Sequence, residues 1–194
     1  MKFLRKNLSN ILFIGFIIFM FTPYGLPVRA TLIKAVSFVT TRVFSLEIDK
    51  EDQISLEDFN WELQSFNGQQ VNLETFKGQV IVVNLWATWC PPCVAEMPSF
   101  QKLYNAYGDK VIFLFVANDE PERVKKFLTD NEYEIPVFFQ MSSAPKEMSS
   151  NSLPTTYVID RKGTIVASKV GAADWNSSKV RSLLDDQLPK KKLP

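Results

Sequence analysis

The sequence predicts an α/β fold in which helices flank a mixed central sheet, with a β-hairpin and a membrane anchor on its N-terminal side. Two observations predict the sheet. After the hairpin, strand-like and helix-like segments follow one another in the order β, α, β, α, β, β, α, and the first strand, Val80–Trp86, is too apolar to have a solvent-facing side. The third observation is an uncharged apolar stretch near the N-terminus, which predicts the anchor.

The N-terminal segment, residues 1–30, is predicted to be a signal anchor or a signal peptide. Basic residues precede an uncharged stretch, Leu8–Val28, of about 20 residues, which is just long enough to cross a bilayer. The positive N-terminus favours a single-pass, N-in orientation with the rest of the chain outside the cytoplasm. We favour the uncleaved anchor, because the apolar stretch exceeds a minimal signal-peptide core and Val28-Arg29-Ala30 is a poor cleavage site.

Residues 31–55 are predicted to be a juxtamembrane linker, either a helix lying near the membrane surface or an extended tether. A hairpin is predicted from Phe59 to Phe76. Within it, Trp61–Gln64 alternates apolar and polar residues, Asn67-Gly68 is a strong two-residue turn signal, and Val71–Leu73 returns. We expect this hairpin to cover one edge of the sheet.

The main domain, residues 56–190, is predicted from apolar periodicity and from the positions of Pro and Gly. A helix begins at Pro91, because the first helical position needs no N–H donor, and runs to about Tyr107 with a kink at Pro98. The other predicted segments are strands over 111–117, 136–140, 155–159 and 164–170, a helix starting at 118–121, a loop over 141–151 and a final amphipathic helix over 175–188. Residues 191–194 are predicted to be a frayed tail.

The two cysteines, Cys90 and Cys93, are the only ones in the chain and stand three positions apart. With one at a strand end and the other one turn into a helix, their sulfur atoms can approach closely enough for a disulfide. The free N–H groups and positive dipole end of a helix start stabilise a thiolate, which is the species that attacks disulfides. The pattern therefore predicts redox chemistry, with Cys90 as the exposed nucleophile and Cys93 as the buried resolving thiol.

A zinc site and a purely structural disulfide are weaker interpretations of the cysteine pair. A zinc site needs four ligands, and the chain has two Cys and no His, so only an intermolecular site remains. A structural disulfide across two residues would close so small a loop that it would restrict the unfolded chain little. The lack of His also excludes Ser-His-Asp triads and Cys-His dyads, and a net charge of +1 gives no electrostatic case for nucleic acid. We therefore predict neither a metal nor a cofactor.

A resemblance to a known family is carried by Val82–Pro98, which includes Trp89–Cys93, and it continues through Leu153–Gly163. These segments resemble the thioredoxin superfamily, and more narrowly its membrane-anchored, extracytoplasmic TlpA/ResA-like disulfide reductases. The resemblance covers about two thirds of the chain, from near Phe59 to near Leu188. It implies a thioredoxin-like fold and a protein-disulfide reductase.

The resemblance also implies which residues contact the substrate. Pro154 matches the cis-proline that faces the cysteine loop and lets the preceding backbone pair with a substrate strand. The alternative is a trans-proline that starts an edge strand. Trp89, Pro91, Pro92 and Leu153 are the other predicted substrate-contacting residues. Because relatives often carry a β-branched residue where Leu153 stands, their substrate preference is not carried over.

A proton carrier is expected at Glu96. Asn84 stands where cytoplasmic thioredoxins have a buried aspartate that accepts a proton, and asparagine cannot do this. The membrane-anchored branch is proposed to use the acid at the Glu96 position, one turn beyond Cys93. A partly buried carboxylate there would have a raised pKa and could exchange protons with Cys93. The alternative is an exposed helix residue.

These observations predict an exported, membrane-tethered thiol–disulfide oxidoreductase whose catalytic domain is periplasmic. The resemblance implies that it reduces disulfides in exported proteins, with apocytochromes c among the substrates of relatives, and that a membrane electron donor of the DsbD/CcdA type regenerates its dithiol. The alternatives are a disulfide oxidant or isomerase of the same fold, and a non-catalytic binding or assembly module. If Leu8–Val28 does not direct export, the chain would be a cytoplasmic thioredoxin.

Overall fold

The structure, a computed structural model, describes Phe19, Thr22 and residues 54–189. Apart from Phe19 and Thr22, the predicted anchor or signal peptide within residues 1–30 lies outside the described residues. The same is true of residues 31–53 of the predicted linker and of the tail at 191–194. No helix in the described part of the chain is both long enough and apolar enough to cross a membrane.

Within residues 54–189, eight strands form one sheet in the order β1-β8-β7-β4-β5-β6-β2-β3. The strands are β1 (Ile54–Ser55), β2 (Glu62–Ser65), β3 (Gln70–Asn72), β4 (Ile81–Trp86), β5 (Ile112–Ala117), β6 (Val137–Gln140), β7 (Thr155–Ile159) and β8 (Thr164–Val170). The α-helices are α1 (Pro91–Tyr107), α2 (Pro121–Asp130) and α3 (Ser178–Gln187), and short 3-10 helices lie at Leu73–Phe76 and Lys146–Met148.

The strand β4 lies inside the sheet and leads directly to the cysteine pair. It pairs in parallel with β5 and antiparallel with β7, so the predicted mixed sheet is confirmed. Every residue of β4 is buried, as expected for a strand that is covered on both faces. Its carboxyl end, at Trp86, opens into the loop before α1, which is where open α/β sheets place their functional sites.

Two short additions extend the sheet at its edges. The strands β2 and β3 form an antiparallel hairpin, and β2 also pairs with β6. At the opposite edge, β1 pairs with Ile165 and Thr164 of β8. The sequence assigns Ile54 and Ser55 to the linker, whereas in the structure their backbone joins the sheet. A two-residue strand is too short to produce a periodic pattern, so only its pairing with β8 defines it.

Apolar side chains form a cluster on each face of the sheet. Alternate residues of β4 point to opposite faces, so that Val82 belongs to one cluster and Val83 to the other. All three α-helices contribute buried side chains to the first cluster. The second cluster is completed by Leu73 and Met148 of the two 3-10 helices. The sequence predicts helices on both faces of the sheet, but the α-helices of the described chain all pack on one face.

The last helix begins later than the sequence predicts, at Ser178 instead of Trp175. The indole of Trp175 is buried and stacks on the ring of Phe100 in α1, with ring centroids 5.1 Å apart and planes 10° apart. This tertiary contact holds Trp175 in the turn before α3. By contrast, α1 begins at Pro91 and continues through Pro98 to Tyr107.

Candidate active site

The cysteine pair lies where β4 gives way to α1. Cys90 is the N-cap of α1, Cys93 lies in its first turn, and the two form a disulfide with Cα atoms 5.3 Å apart. Cys93 has no exposed surface. Cys90 is only 4% exposed, less than the sequence predicts for the nucleophile, and this is its exposure in the oxidised pair. Within the described residues, no three Cys, His, Asp or Glu side chains cluster as a metal site would require.

The start of α1 donates one N–H group to the sulfur of Cys90. Pro91 and Pro92 occupy the first two helical positions and have no N–H. The next N–H, that of Cys93, donates to Cys90 Sγ at 3.3 Å. Because a helix start without prolines has more free N–H groups, this one stabilises a Cys90 thiolate less than such a start would.

Glu96 is buried behind the cysteine pair, with 1% of its surface exposed. Its Oε1 accepts a hydrogen bond from Asn84 Nδ2 at 2.9 Å, and its Oε2 accepts from Trp175 Nε1 at 2.9 Å and from the Ala173 N–H at 3.3 Å. Burial raises the pKa of Glu96 from its ordinary value of 4.5 to about 8, although these three hydrogen bonds act to lower it. The alternative of an exposed helix residue is therefore wrong, because the turn before α3 packs over this side chain.

The carboxamide of Asn84 joins Glu96 to the sheet. Asn84 lies fully buried on β4, and its Nδ2 also donates to Thr156 Oγ1 on β7 at 2.9 Å. Its Oδ1 has no hydrogen-bond partner among the described residues, and an unpaired buried acceptor costs about 1–3 kcal/mol. A half-turn of the amide would let this oxygen accept the proton of a neutral Glu96 carboxyl. The network can therefore bond either charge state of Glu96.

Glu96 and Cys93 lie on the same buried side of α1. They are three residues apart on α1, so they lie on the same side of the helix, and both are buried there. A carboxyl with a pKa of about 8 is close to the ordinary pKa of a thiol, about 8.5. Because the two values are close, moving a proton between such groups costs little free energy.

An open groove borders the cysteine pair. The residues that line it come from three segments: Trp89, Cys90, Pro91, Pro92, Asn118, Ser150, Asn151 and Leu153. Four of the predicted substrate-contacting residues are thus brought together, and Trp89 is 61% exposed. Pro154 is buried outside the lining, and its peptide bond with Leu153 is cis.

Sequence reasoning missed several residues of this site. Asn118 follows β5 directly, and its place at the carboxyl end of a strand next to β4 is a signal that could have identified it. Ser150 and Asn151 closely precede Leu153-Pro154, which gives a weaker signal. Trp175 had no signal, because its bond to Glu96 joins residues that are far apart in the chain.

The chain is similar to known proteins of the thioredoxin type, which fits the cysteine pair and the sheet described above. A family model described as Redoxin matches residues 51–185. The thiol-disulfide oxidoreductase ResA of Bacillus cereus is 32% identical over 140 residues, covering 71% of this chain and 80% of the relative. The thioredoxin-like protein YneN of Bacillus subtilis is 32% identical over 116 residues, covering 58% of this chain and 68% of the relative.

Solved structures share the fold. The crystal structure of StoA from Bacillus subtilis superposes with a TM-score of 0.50 at 25% identity, covering 69% of this chain and 94% of StoA. The Redoxin match spans well over half of the chain and contains the whole sheet from β1 to β8 together with the cysteine pair. The chain therefore belongs to the Redoxin family, as a TlpA/ResA-like member of the thioredoxin superfamily.

Proposed function

We propose that the chain is an extracytoplasmic protein-disulfide reductase that acts on disulfides in exported proteins through Cys90 and Cys93. One observation carries the proposal: Cys90 caps α1 and borders an open groove, while its disulfide partner Cys93 is closed off from solvent. Relatives named as thiol-disulfide oxidoreductases support the exchange chemistry.

The reaction begins with the reduced pair. The Cys90 thiolate attacks one sulfur of a substrate disulfide, the substrate S–S bond breaks, and the leaving sulfur takes a proton. Cys93, as a thiolate, then attacks Cys90 Sγ and breaks the mixed disulfide. The substrate has gained two electrons and two protons, and the Cys90–Cys93 disulfide has formed. A membrane electron donor of the DsbD/CcdA type would return two electrons to the pair.

Glu96 serves the second step by accepting the proton of the Cys93 thiol. Its burial beside Asn84 and Trp175 supports this role, because a carboxyl with a pKa of about 8 can take up and release a proton near neutral pH. Replacing Glu96 with Gln should slow release of the reduced substrate by roughly a hundredfold, while the first attack by Cys90 changes little.

The location and partners rest on the N-terminal segment and on the resemblance. The basic start and the apolar stretch Leu8–Val28 support a single-pass anchor that exports the domain. Apocytochromes c are candidate substrates on the resemblance alone. Protease treatment of intact spheroplasts should degrade the domain, and complete protection would contradict this location.

Trapping the mixed disulfide tests the reaction. The full-length chain is reduced with dithiothreitol, freed of the reductant, and mixed with a peptide that contains one internal disulfide. We expect the wild type to reduce the peptide, Cys90→Ser to be inactive, and Cys93→Ser to accumulate a covalent peptide adduct that mass spectrometry detects. Asn105→Ser, which alters an exposed amide in the last turn of α1, is the control. Full turnover by Cys90→Ser would contradict the assignment and would favour a non-catalytic binding module.

A further inference from the structure

The turn between β5 and α2 carries a buried carboxylate that the chemistry described above does not use. The side chain of Asp119 is 2% exposed. Its Oδ2 accepts hydrogen bonds from the Thr88 N–H at 3.2 Å and from the Thr88 hydroxyl, and its Oδ1 accepts the Glu120 N–H at 2.8 Å. The guanidinium of Arg123 lies 3.9 Å from Oδ1.

Capping of the following helix explains only part of this arrangement. The N-cap of α2 is Glu120, and Asp119 Oδ1 accepts the N–H of that residue. The other oxygen, Oδ2, takes both of its hydrogen bonds from Thr88, which is 31 residues earlier in the chain. One of the two carboxylate oxygens therefore bonds only to the loop between β4 and α1.

This loop positions the reactive cysteine. Thr88 stands two residues before Cys90, and the Asn118 N–H donates at 2.8 Å to the carbonyl of Trp86, the last residue of β4, so the same turn holds both the loop and the strand end from which it starts. Between Thr88 and Cys90 lies Trp89, which is largely exposed and so is not fixed by burial. The contact to Thr88 is consequently a main restraint on the direction in which Trp89 faces, and it acts on Cys90 together with the bond from the Cys93 N–H to Cys90 Sγ.

The contact also joins two walls of the groove. Asn118 lines the groove from the β5–α2 turn, and Trp89 lines it from the β4–α1 loop. Burial opposes the charge of Asp119, but the hydrogen bonds from Thr88 and Glu120 and the nearby Arg123 hold its pKa below the ordinary value. The carboxylate therefore stays ionised and keeps its strong, charge-assisted hydrogen bonds at neutral pH.

We propose that Asp119 is a positioning residue for disulfide exchange, which fixes the β4–α1 loop through Thr88 so that Trp89 and Cys90 face the substrate across the groove from Asn118. This role rests on the proposed function, because it concerns how a disulfide-containing segment meets Cys90. It concerns productive docking of the substrate rather than the intrinsic reactivity of the thiolate.

Two variants test the role in the reduced full-length chain. Asp119→Asn keeps the shape of the side chain but removes the charge, and Thr88→Val removes the hydroxyl while keeping its own N–H. We expect each to slow reduction of the disulfide peptide by about tenfold, while alkylation of Cys90 by iodoacetamide, which needs no groove, stays within about twofold of wild type. Because both variants break the same contact, the double variant should be little slower than either single one.

The control is Asp130→Asn, which removes an exposed carboxylate paired with Lys126 at 2.7 Å on α2. It should leave both rates unchanged. Peptide reduction within twofold of wild type in both test variants would overturn the inference. Parallel loss of peptide reduction and alkylation would also overturn it, since a merely structural role gives that result. If Asp119→Asn does not fold, Thr88→Val alone decides. A wild type that is alkylated but reduces no peptide would overturn the proposed function and this role together.

Discussion

Replacing Glu96 with Gln should remove the pH dependence that this buried carboxyl imposes on folding. In the unfolded chain its pKa is the ordinary 4.5, and in the folded protein burial raises the pKa to about 8. Between these two pH values the folded protein holds a proton that the unfolded chain has lost. Stability therefore falls as pH rises through this window and levels off above about pH 8.

The magnitude follows from the two pKa values. Each pH unit in the window costs about 1.4 kcal/mol, so the whole window from 4.5 to about 8 corresponds to roughly 5 kcal/mol. Gln carries no titrating proton, and its amide can still accept from Trp175 and donate to Asn84 Oδ1 once the Asn84 amide turns. The free energy of unfolding of Glu96→Gln, relative to that of wild type, should therefore rise by up to roughly 5 kcal/mol from acid to alkaline pH.

Urea unfolding of the oxidised protein, between about pH 5 and about pH 9, measures this difference directly. Groups other than Glu96 titrate in both proteins and cancel when the two curves are subtracted. Glu122→Gln, which removes an exposed carboxylate on α2, is the control for the loss of a carboxylate as such. A stability difference between Glu96→Gln and wild type that does not change with pH would refute the reasoning.

Three further substitutions test neighbouring parts of the site. Pro92→Ala adds an N–H next to Cys90 Sγ, so it should lower the pKa of the Cys90 thiol and raise the reduction potential of the pair by roughly 30 mV, as measured in dithiothreitol buffers. Trp175→Phe removes a donor to Glu96 Oε2, so it should raise the pKa of Glu96 further and extend the fall in stability to higher pH in the same urea assay. Asn151→Asp adds a carboxylate to a groove whose described lining is uncharged. In competition assays it should favour peptides with Lys over those with Glu beside the disulfide by about threefold to tenfold, whereas wild type should differ by less than about twofold.

Matched controls separate these effects from simple disruption. Trp86→Phe also truncates a buried indole, but the Nε1 of Trp86 has no hydrogen-bond partner among the described residues. It should therefore leave the pH dependence of stability unchanged. Asn151→Ser alters the groove without adding charge and should create no preference between the peptides. A Lys preference in Asn151→Ser, or none in Asn151→Asp, would contradict the electrostatic argument.

The central strands could be predicted from sequence because their signal is local. The runs that become β4 and β5 are almost wholly apolar, and the predicted bounds of β7 and β8 match the structure. The strand Ile54–Ser55 and the late start of the last helix could not be predicted. Pairing with β8 defines the first, and packing of Trp175 on Phe100 defines the second.

Only part of the candidate site could likewise be predicted from the sequence. Cys90 and Cys93 are evident from their spacing, since one turn of helix brings them together. The burial of Glu96 was left open at the sequence level, because it depends on Trp175, which is 79 residues further along the chain. The contact between Asp119 and Thr88 likewise arises only when neighbouring strands bring two loops together.

The reduction potential of the Cys90–Cys93 pair tests the central claim most directly. The full-length chain is equilibrated with dithiothreitol or glutathione buffers, and the fraction of free thiol is measured at each ratio. A potential near that of thioredoxin, roughly −270 mV, is the result that a reductase supplied by a membrane donor requires. A potential near roughly −120 mV would make the chain a disulfide oxidant and would contradict the proposed direction of electron flow.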